Sequence, residues 1–334
     1  MSITVRQAGI QTTVQDLGRI NWQHLGIPMG GAMDEQAHRV ANLLVGNEAN
    51  AAALECALGG VALQFNVPAL VALAGRDISA SLDGAALPPW HTVRIPAGAL
   101  LVLHNGCRTT IAVAGGIDVP VVLDSRSTCL RAGFGGMSGR ALLRDDRIGI
   151  GAPSPLATHI HDSLASEQRT VAPWSAGLHV RPAYADQPTV RIIPGPECEL
   201  LTEASRTHLL NEVFRIAPES DRMGYRLAGP PLSLADAREI RSAGVTAGTV
   251  QLPPGGAPIV LMADRQTTGG YPRLGDVIAV DLPLIAQLRA SDRLRFAITT
   301  LEEAHALFAQ REDQLHVAQL AVNLRFGSGR DDAR

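Results

Sequence analysis

Four stretches of the 334-residue chain crowd carboxylates, arginines or amides, hydroxyls and glycines into a few positions each. The first is Thr12-Thr13-Val14-Gln15-Asp16-Leu17-Gly18-Arg19, with Gly26-Ile27-Pro28-Met29-Gly30-Gly31-Ala32-Met33-Asp34 behind it. The second runs through Gly115-Gly116-Ile117-Asp118-Val119-Pro120, Asp124-Ser125-Arg126-Ser127-Thr128 and Gly135-Gly136-Met137-Ser138-Gly139-Arg140. The third is Ser220-Asp221-Arg222-Met223-Gly224-Tyr225-Arg226-Leu227, and the fourth Asp264-Arg265-Gln266-Thr267-Thr268-Gly269-Gly270-Tyr271-Pro272. Glycine lets backbone N–H groups come close to a ligand, arginine holds a carboxylate or phosphate with two parallel bonds, and hydroxyls fix orientation. Loops of this kind suit a small polar or anionic substrate. The same residue types also close turns between strands, and residue order alone leaves open whether the four stretches meet.

Patterns that would name another chemistry are incomplete. Gly133-Phe134-Gly135-Gly136-Met137-Ser138 has Ser138 where a dinucleotide-binding fingerprint needs its last glycine. Gly136-Met137-Ser138-Gly139-Arg140 misses a nucleophile elbow by one glycine. His159 and His161, expected on one face of a strand beside Asp162, begin a metal site that no further ligand completes, so no metal is expected. The four cysteines are scattered without a C-x-x-C pair and read as reduced, mostly buried thiols. A nucleophilic Cys56 or Cys129 would need a paired base, and none is in view. All 29 basic residues are arginine. Without lysine the chain cannot carry a Schiff base, a P-loop lysine or a biotinyl-lysine. Any ATP or biotin chemistry must therefore come from another chain or a site built without lysine.

The elements that would hold these loops read as strands. Ala69–Ala74, Leu100–His104, Thr110–Ala114, Val190–Ile193, Ile259–Met262 and Val277–Val280 are short apolar runs between turn residues. With 33 glycines and 21 prolines, the pattern points to barrels or sandwiches rather than a doubly wound sheet. Two helices stand out. One begins at an Asp34 cap, repeats Ala37, Val40, Ala41 and Leu44, and stops at Gly46; the other opens with a Thr300/Glu303 capping box. A phrase at Ile95–Leu103 resembles one at Leu252–Leu261, which hints at duplication. Pro, Ser, Ala and His crowd together without periodicity between about Gly151 and Pro188. The expected division is therefore an N-terminal domain over 1–155, a linker over 156–187, a C-terminal domain over 188–326 and a polar tail over 327–334.

Composition sets the class. Hydrophobic residues make up 46% and charged residues 18%, with a net charge of −3, as in globular proteins and without the basic surplus that nucleic acid or anionic membrane attracts. Aromatics at 4% argue against a base-stacking surface. The first residues do not form a basic start followed by an apolar core, and the apolar run Val67–Ala74 is too short to span a bilayer. A cytoplasmic protein is expected.

The order TTVQDLGR, GIPMGGAMD, AVAGGIDVP, SRST, SDRMGYRL and DRQTTGGYP resembles the KipA-like family. That family is also called allophanate hydrolase subunit 2 or the biotin-dependent carboxyltransferase family, and it includes the C subunit of 5-oxoprolinase. The resemblance runs from about residue 3 to residue 308. It implies a mainly β fold of two tandem cyclophilin-like β-barrel domains with a few short capping helices. It further implies two companions, the KipI-like B subunit and the A subunit of that enzyme, with ATP used by the complex and not necessarily bound by this chain. The implied reaction is hydrolysis of 5-oxoproline to glutamate. Two alternatives stay open within the family. One is the carboxyltransferase half of a biotin-dependent urea or amide carboxylase, and the other a non-enzymatic regulator binding a KipI-like kinase inhibitor.

Opening a lactam needs donors for developing charge and a carboxylate to orient water. Arg126 and Arg222 are the candidates for anion contact and Asp264 for positioning or proton transfer. Gln266, Thr267, Tyr271 and Ser127 are the candidates for holding substrate. Gln15, Asp16 and Arg19 either join that site or lock the N-terminal strand.

Overall fold

The apolar run Ala69–Ala74 is a strand, buried along almost its whole length. The computed structural model describes residues 1–236 and 240–327. They divide into a first unit of Met1–Gly18, Asp34–Pro182 and the chain from Glu312 onward, and a second of Arg19–Met33 and Ala183–Arg311.

The first unit is built on two sheets. Seven strands lie in the order Ile117–Asp118, Arg147–Ile150, Ser2–Ala8, Val61–Phe65, Leu100–Asn105, Ser79–Leu82 and Ala85–Leu87. Six more follow the order Val171–Ser175, His91–Ile95, Ala69–Ala74, Arg108–Val113, Ala53–Ala57 and Gln11–Gln15. One core serves both sheets: Ile3, Leu63, Phe65 and Leu101 from the first pack with Val14, Leu54, Val71 and Ile111 from the second. Each such side chain contributes roughly 1.5–3 kcal/mol by leaving water. Helix α1 (Glu35–Leu44) starts where the sequence indicated, with Asp34 accepting the Ala37 N–H at 2.9 Å, and Gly46 follows at φ +73°.

The second unit closes into a barrel of seven strands, in the order Thr189–Pro194, Arg273–Val277, Thr249–Gln251, Ile259–Leu261, Gly224–Ala228, Phe214–Ile216 and Arg293–Ile298. The closing pair, Thr189–Pro194 with Arg293–Ile298, is parallel, and the other pairs are antiparallel. Closure leaves no open edge. Val190, Phe214, Leu227, Val250, Leu274 and Phe296 fill the interior, with the Phe214 and Phe296 rings 5.8 Å apart.

The mainly β class is the one the sequence implied, and several details differ. The expected linker carries helix α2 (Pro155–Ser166) and the strand Val171–Ser175, both within the first unit. Ser154 caps α2 through the Ala157 N–H at 3.0 Å. Helix α3 (Glu203–Asn211) and the five-residue α4 (Leu282–Ala286) are short, but α5 (Leu301–Phe326) runs for 26 residues. The Thr300 cap bond to the Glu303 N–H forms at 3.2 Å. The expected Val277–Val280 strand lies earlier, at Arg273–Val277, and the apolar run marks only the strand's exit into a turn. Residues 328–334 of the expected tail lie outside the described residues. The two similar phrases are both strand–turn–strand. In the first unit they feed different sheets, whereas in the second Val250 pairs directly with Val260.

Candidate functional site

The strongest convergence is in the second unit, where three of the polar-glycine stretches meet. Asp221 Oδ1 accepts the Met223 N–H at 2.8 Å, an Asx turn that delivers Arg222 to the interior ahead of the strand Gly224–Ala228. Arg222 is 5% exposed. Its Nε and Nη2 donate to the two carboxylate oxygens of Asp264 at 2.8 and 2.9 Å, and Nη2 also donates to the Gly31 carbonyl at 2.6 Å. Backbone bonds fasten the same three segments, from Asp264 N to the Arg222 carbonyl and from Gly30 N to the Ala263 carbonyl. Gly30 and Gly31 have φ of +65° and +89°, conformations that a side chain disfavours. The arginine fork expected to grip a substrate anion therefore holds Asp264.

Gln266, Thr267 and Tyr271 continue from Asp264. The Thr267 carbonyl accepts the Val245 N–H at 3.1 Å, and Thr268–Gly269 pairs with Ala243–Gly244. Gln266 reaches Gln251 at 3.4 Å, and Tyr271 is half exposed. Arg19 belongs to this unit as well, fully buried, with its N–H on the Met29 carbonyl at 2.7 Å.

The other candidates cluster within the first unit. The buried Asp16 carboxylate accepts from Ser125 Oγ at 2.7 Å, the Arg126 N–H at 2.6 Å, the Gly18 N–H at 2.8 Å and Ser127 Oγ. Ser127 Oγ in turn accepts the Asp16 N–H at 2.9 Å. Gln15 Nε2 bonds Thr13 Oγ1 and the Thr128 carbonyl, while Thr128 N donates to the Val14 carbonyl. With four donors on one carboxylate, Asp16 locks the end of the strand Gln11–Gln15 to the 125–128 loop. Arg126 is more open, its side chain 41% exposed and its Nε on the Val119 carbonyl at 3.0 Å.

Other titratable groups have structural roles. Burial pushes the Cys56 thiol up to about 12, so it stays protonated at neutral pH and is no nucleophile. His159 and His161 stand on α2, where positions two apart point to different sides, and the His159 ring donates to the Phe326 carbonyl. No group of three metal-ligating residues occurs among the described residues. A cavity of about 390 Å³ in the first unit, lined by Arg39, Asn47, Glu312, His316 and Gln319 among others, contains none of the candidate residues. Among the described residues, no helix is long and apolar enough to cross a membrane. One buried group the sequence did not single out is Arg265, next to Asp264 and 4% exposed.

Comparison with known proteins identifies relatives of this arrangement. The carboxyltransferase domain family, subdomain A and B, matches residues 25–298. The 5-oxoprolinase C subunit of Escherichia coli (strain K12) is 40% identical over 327 residues, covering 96% of this chain and 98% of the relative. That of Haemophilus influenzae is 33% identical over 313 residues, covering 93% and 94%. The crystal structure of the K. lactis urea amidolyase superposes with a TM-score of 0.85 at 24% identity, covering 95% of this chain and 20% of that one.

Proposed function

The chain belongs to the carboxyltransferase domain family, subdomain A and B, and from that premise we propose that it is the C subunit of an ATP-dependent 5-oxoprolinase. The observation that carries this reading is the nearly end-to-end match with two 5-oxoprolinase C subunits, in which chain and relative share almost their full lengths. The fungal amidolyase, by contrast, contains this fold as a fifth of a longer chain. Such a protein needs companions, and the absence of lysine from this chain assigns the phosphate-binding lysine of any P-loop to one of them. Dependence on ATP fits work in the cytoplasm.

A lactam carbonyl is a poor electrophile. When bound in the assembly, ATP supplies the phosphoryl group that activates the amide oxygen. This chain's part is to position and to move protons. Asp264 suits that task because Arg222 fixes both its oxygens, leaving each a further lone pair for a water or the lactam N–H. The amide of Gln266, the hydroxyl of Thr267 and the phenol of Tyr271 supply donors and acceptors for a small polar ring. Arg126, half open in the first unit, is the candidate there for an anion.

The test is a substrate comparison with the reconstituted complex. With ATP and 5-oxoproline it should release glutamate; with ATP, bicarbonate, a biotin carrier and urea it should form no carboxylated product. The reverse pattern would replace this reading with the carboxyltransferase one.

A further inference from the structure

The loop that carries Asp264 also carries a second buried charge. Arg265 is 4% exposed, and among the described residues no carboxylate pairs with it. Its bonds are two long ones, from Nε to the Val245 carbonyl and from Nη1 to the Met262 carbonyl, each 3.4 Å. Neither uses Nη2. Burial lowers its pKa. Two other largely buried arginines are paired with carboxylates: Arg108 with Glu55 at 2.9 Å and Arg222 with Asp264 at 2.8 Å. A buried charge without a partner is strongly unfavourable, so such a group is retained where something else compensates it.

A second observation concerns the neighbouring loop residue, Gln266. Its Nε2 lies 3.4 Å from Oε1 of Gln251, which is 2% exposed and whose own Nε2 has no acceptor among the described residues. The amide sits against the loop backbone, in space that a side chain at position 269 would fill, since a Cβ at Gly269 would come within 2.4 Å of Gln251 Nε2. Gly269 therefore leaves room for this donor. The loop and the strand Thr249–Gln251, joined by the Gln266–Gln251 contact, thus each carry a donor, a guanidinium and an amide N–H, without a matching acceptor among the described residues.

We infer that the Asp264–Tyr271 loop and the strand Thr249–Gln251 form an oxyanion-binding site, with Arg265 as its charged anchor and Gln251 as its neutral donor. The ligand is a carboxylate or a phosphate group; both present paired oxygens to a guanidinium fork. Only the naming of the anion, as the carboxylate of 5-oxoproline or glutamate or the phosphate released from ATP, rests on the function proposed above.

The full chain is melted in the presence of inorganic phosphate, 5-oxoproline or L-glutamate, against chloride at equal ionic strength. The wild type should be stabilised, by on the order of a few degrees at saturation. A response to phosphate alone identifies the phosphate source, and a response to the organic acids identifies the carboxylate. Arg265→Met should melt at or above the wild type without ligand, because it removes an uncompensated charge, and should lose the response. Arg265→Lys, which keeps charge but not the fork, should retain only part of it. The site is refuted if no anion stabilises the wild type, if Arg265→Met keeps the full response, or if that variant melts below the wild type. A complex that releases no glutamate would defeat the functional proposal and leave this result standing.

Discussion

At the scale of single residues, the account turns on the Arg222–Asp264 pair. Both side chains are about nine-tenths buried, and three hydrogen bonds hold the guanidinium to the carboxylate and the Gly31 carbonyl. Removing one partner strands the other. Arg222→Met should cost about 3–5 kcal/mol, read as a lowered midpoint in urea unfolding. A loss under about 1 kcal/mol would mean that Asp264 finds another partner or water, and that Arg222 does not hold it. The dense polar-glycine motifs contain Arg222, Asp264, Gly30, Gly31 and Arg265, and of these the sequence marked Arg222 and Asp264 as site candidates before any coordinates. Arg265 was not singled out, because one arginine among 29 carries no sign in the sequence of being buried without a carboxylate. Asp16 was marked, and its role could be decided only by counting the donors that surround it.

At the scale of elements, α1 shows how a helix with clear ends can still hide its chemistry. Asp34 and Gly46 mark its ends, and its buried face includes His38, which is 1% exposed. His38 Nε2 accepts from Asn42 Nδ2 at 3.1 Å, and burial lowers the ring pKa from 6.5 to about 4 against the pull of Asp16 and Glu55. Between those values the unfolded chain takes up a proton that the folded chain refuses. This group's stabilising contribution is present above about pH 6.5 and is lost as the pH falls toward 4, by roughly 3 kcal/mol. Urea unfolding of the wild type across that range should show this loss, and His38→Gln should lack that part of the slope. An unchanged slope in the variant would show that His38 is protonated in the folded state. The α2 segment was missed for a physical reason: only Ala157, Ile160 and Leu164 are buried on it, too sparse a stripe among Pro, Ser and His to read as helical. Of the barrel strands, Thr189–Pro194 and Ile259–Leu261 were legible as short apolar runs, whereas Arg293–Ile298 was not read, because its buried Leu294 and Phe296 alternate with exposed arginines instead of forming such a run.

At the scale of the whole molecule, two β units were foreseeable from many short strands and a repeated phrase, but their membership was not. A reading along the chain assumes contiguous domains. Here Arg19–Met33 joins the second unit and the chain from Glu312 joins the first. The Arg39 fork to Glu312, at 2.7 and 2.6 Å, is one of the contacts that place the later part of α5 within the first unit. The absence of lysine is a molecule-wide property with a functional consequence, since it leaves lysine-dependent steps to companion chains. The central claim, that this chain is a required component of a 5-oxoprolinase, is tested most directly by titration. With the companion subunits, ATP and 5-oxoproline held constant, glutamate release is measured as this chain is added from zero. The rate should be negligible at first, climb with the added chain and level off at a fixed molar ratio to the companions. Full glutamate release with none of this chain present would contradict the claim.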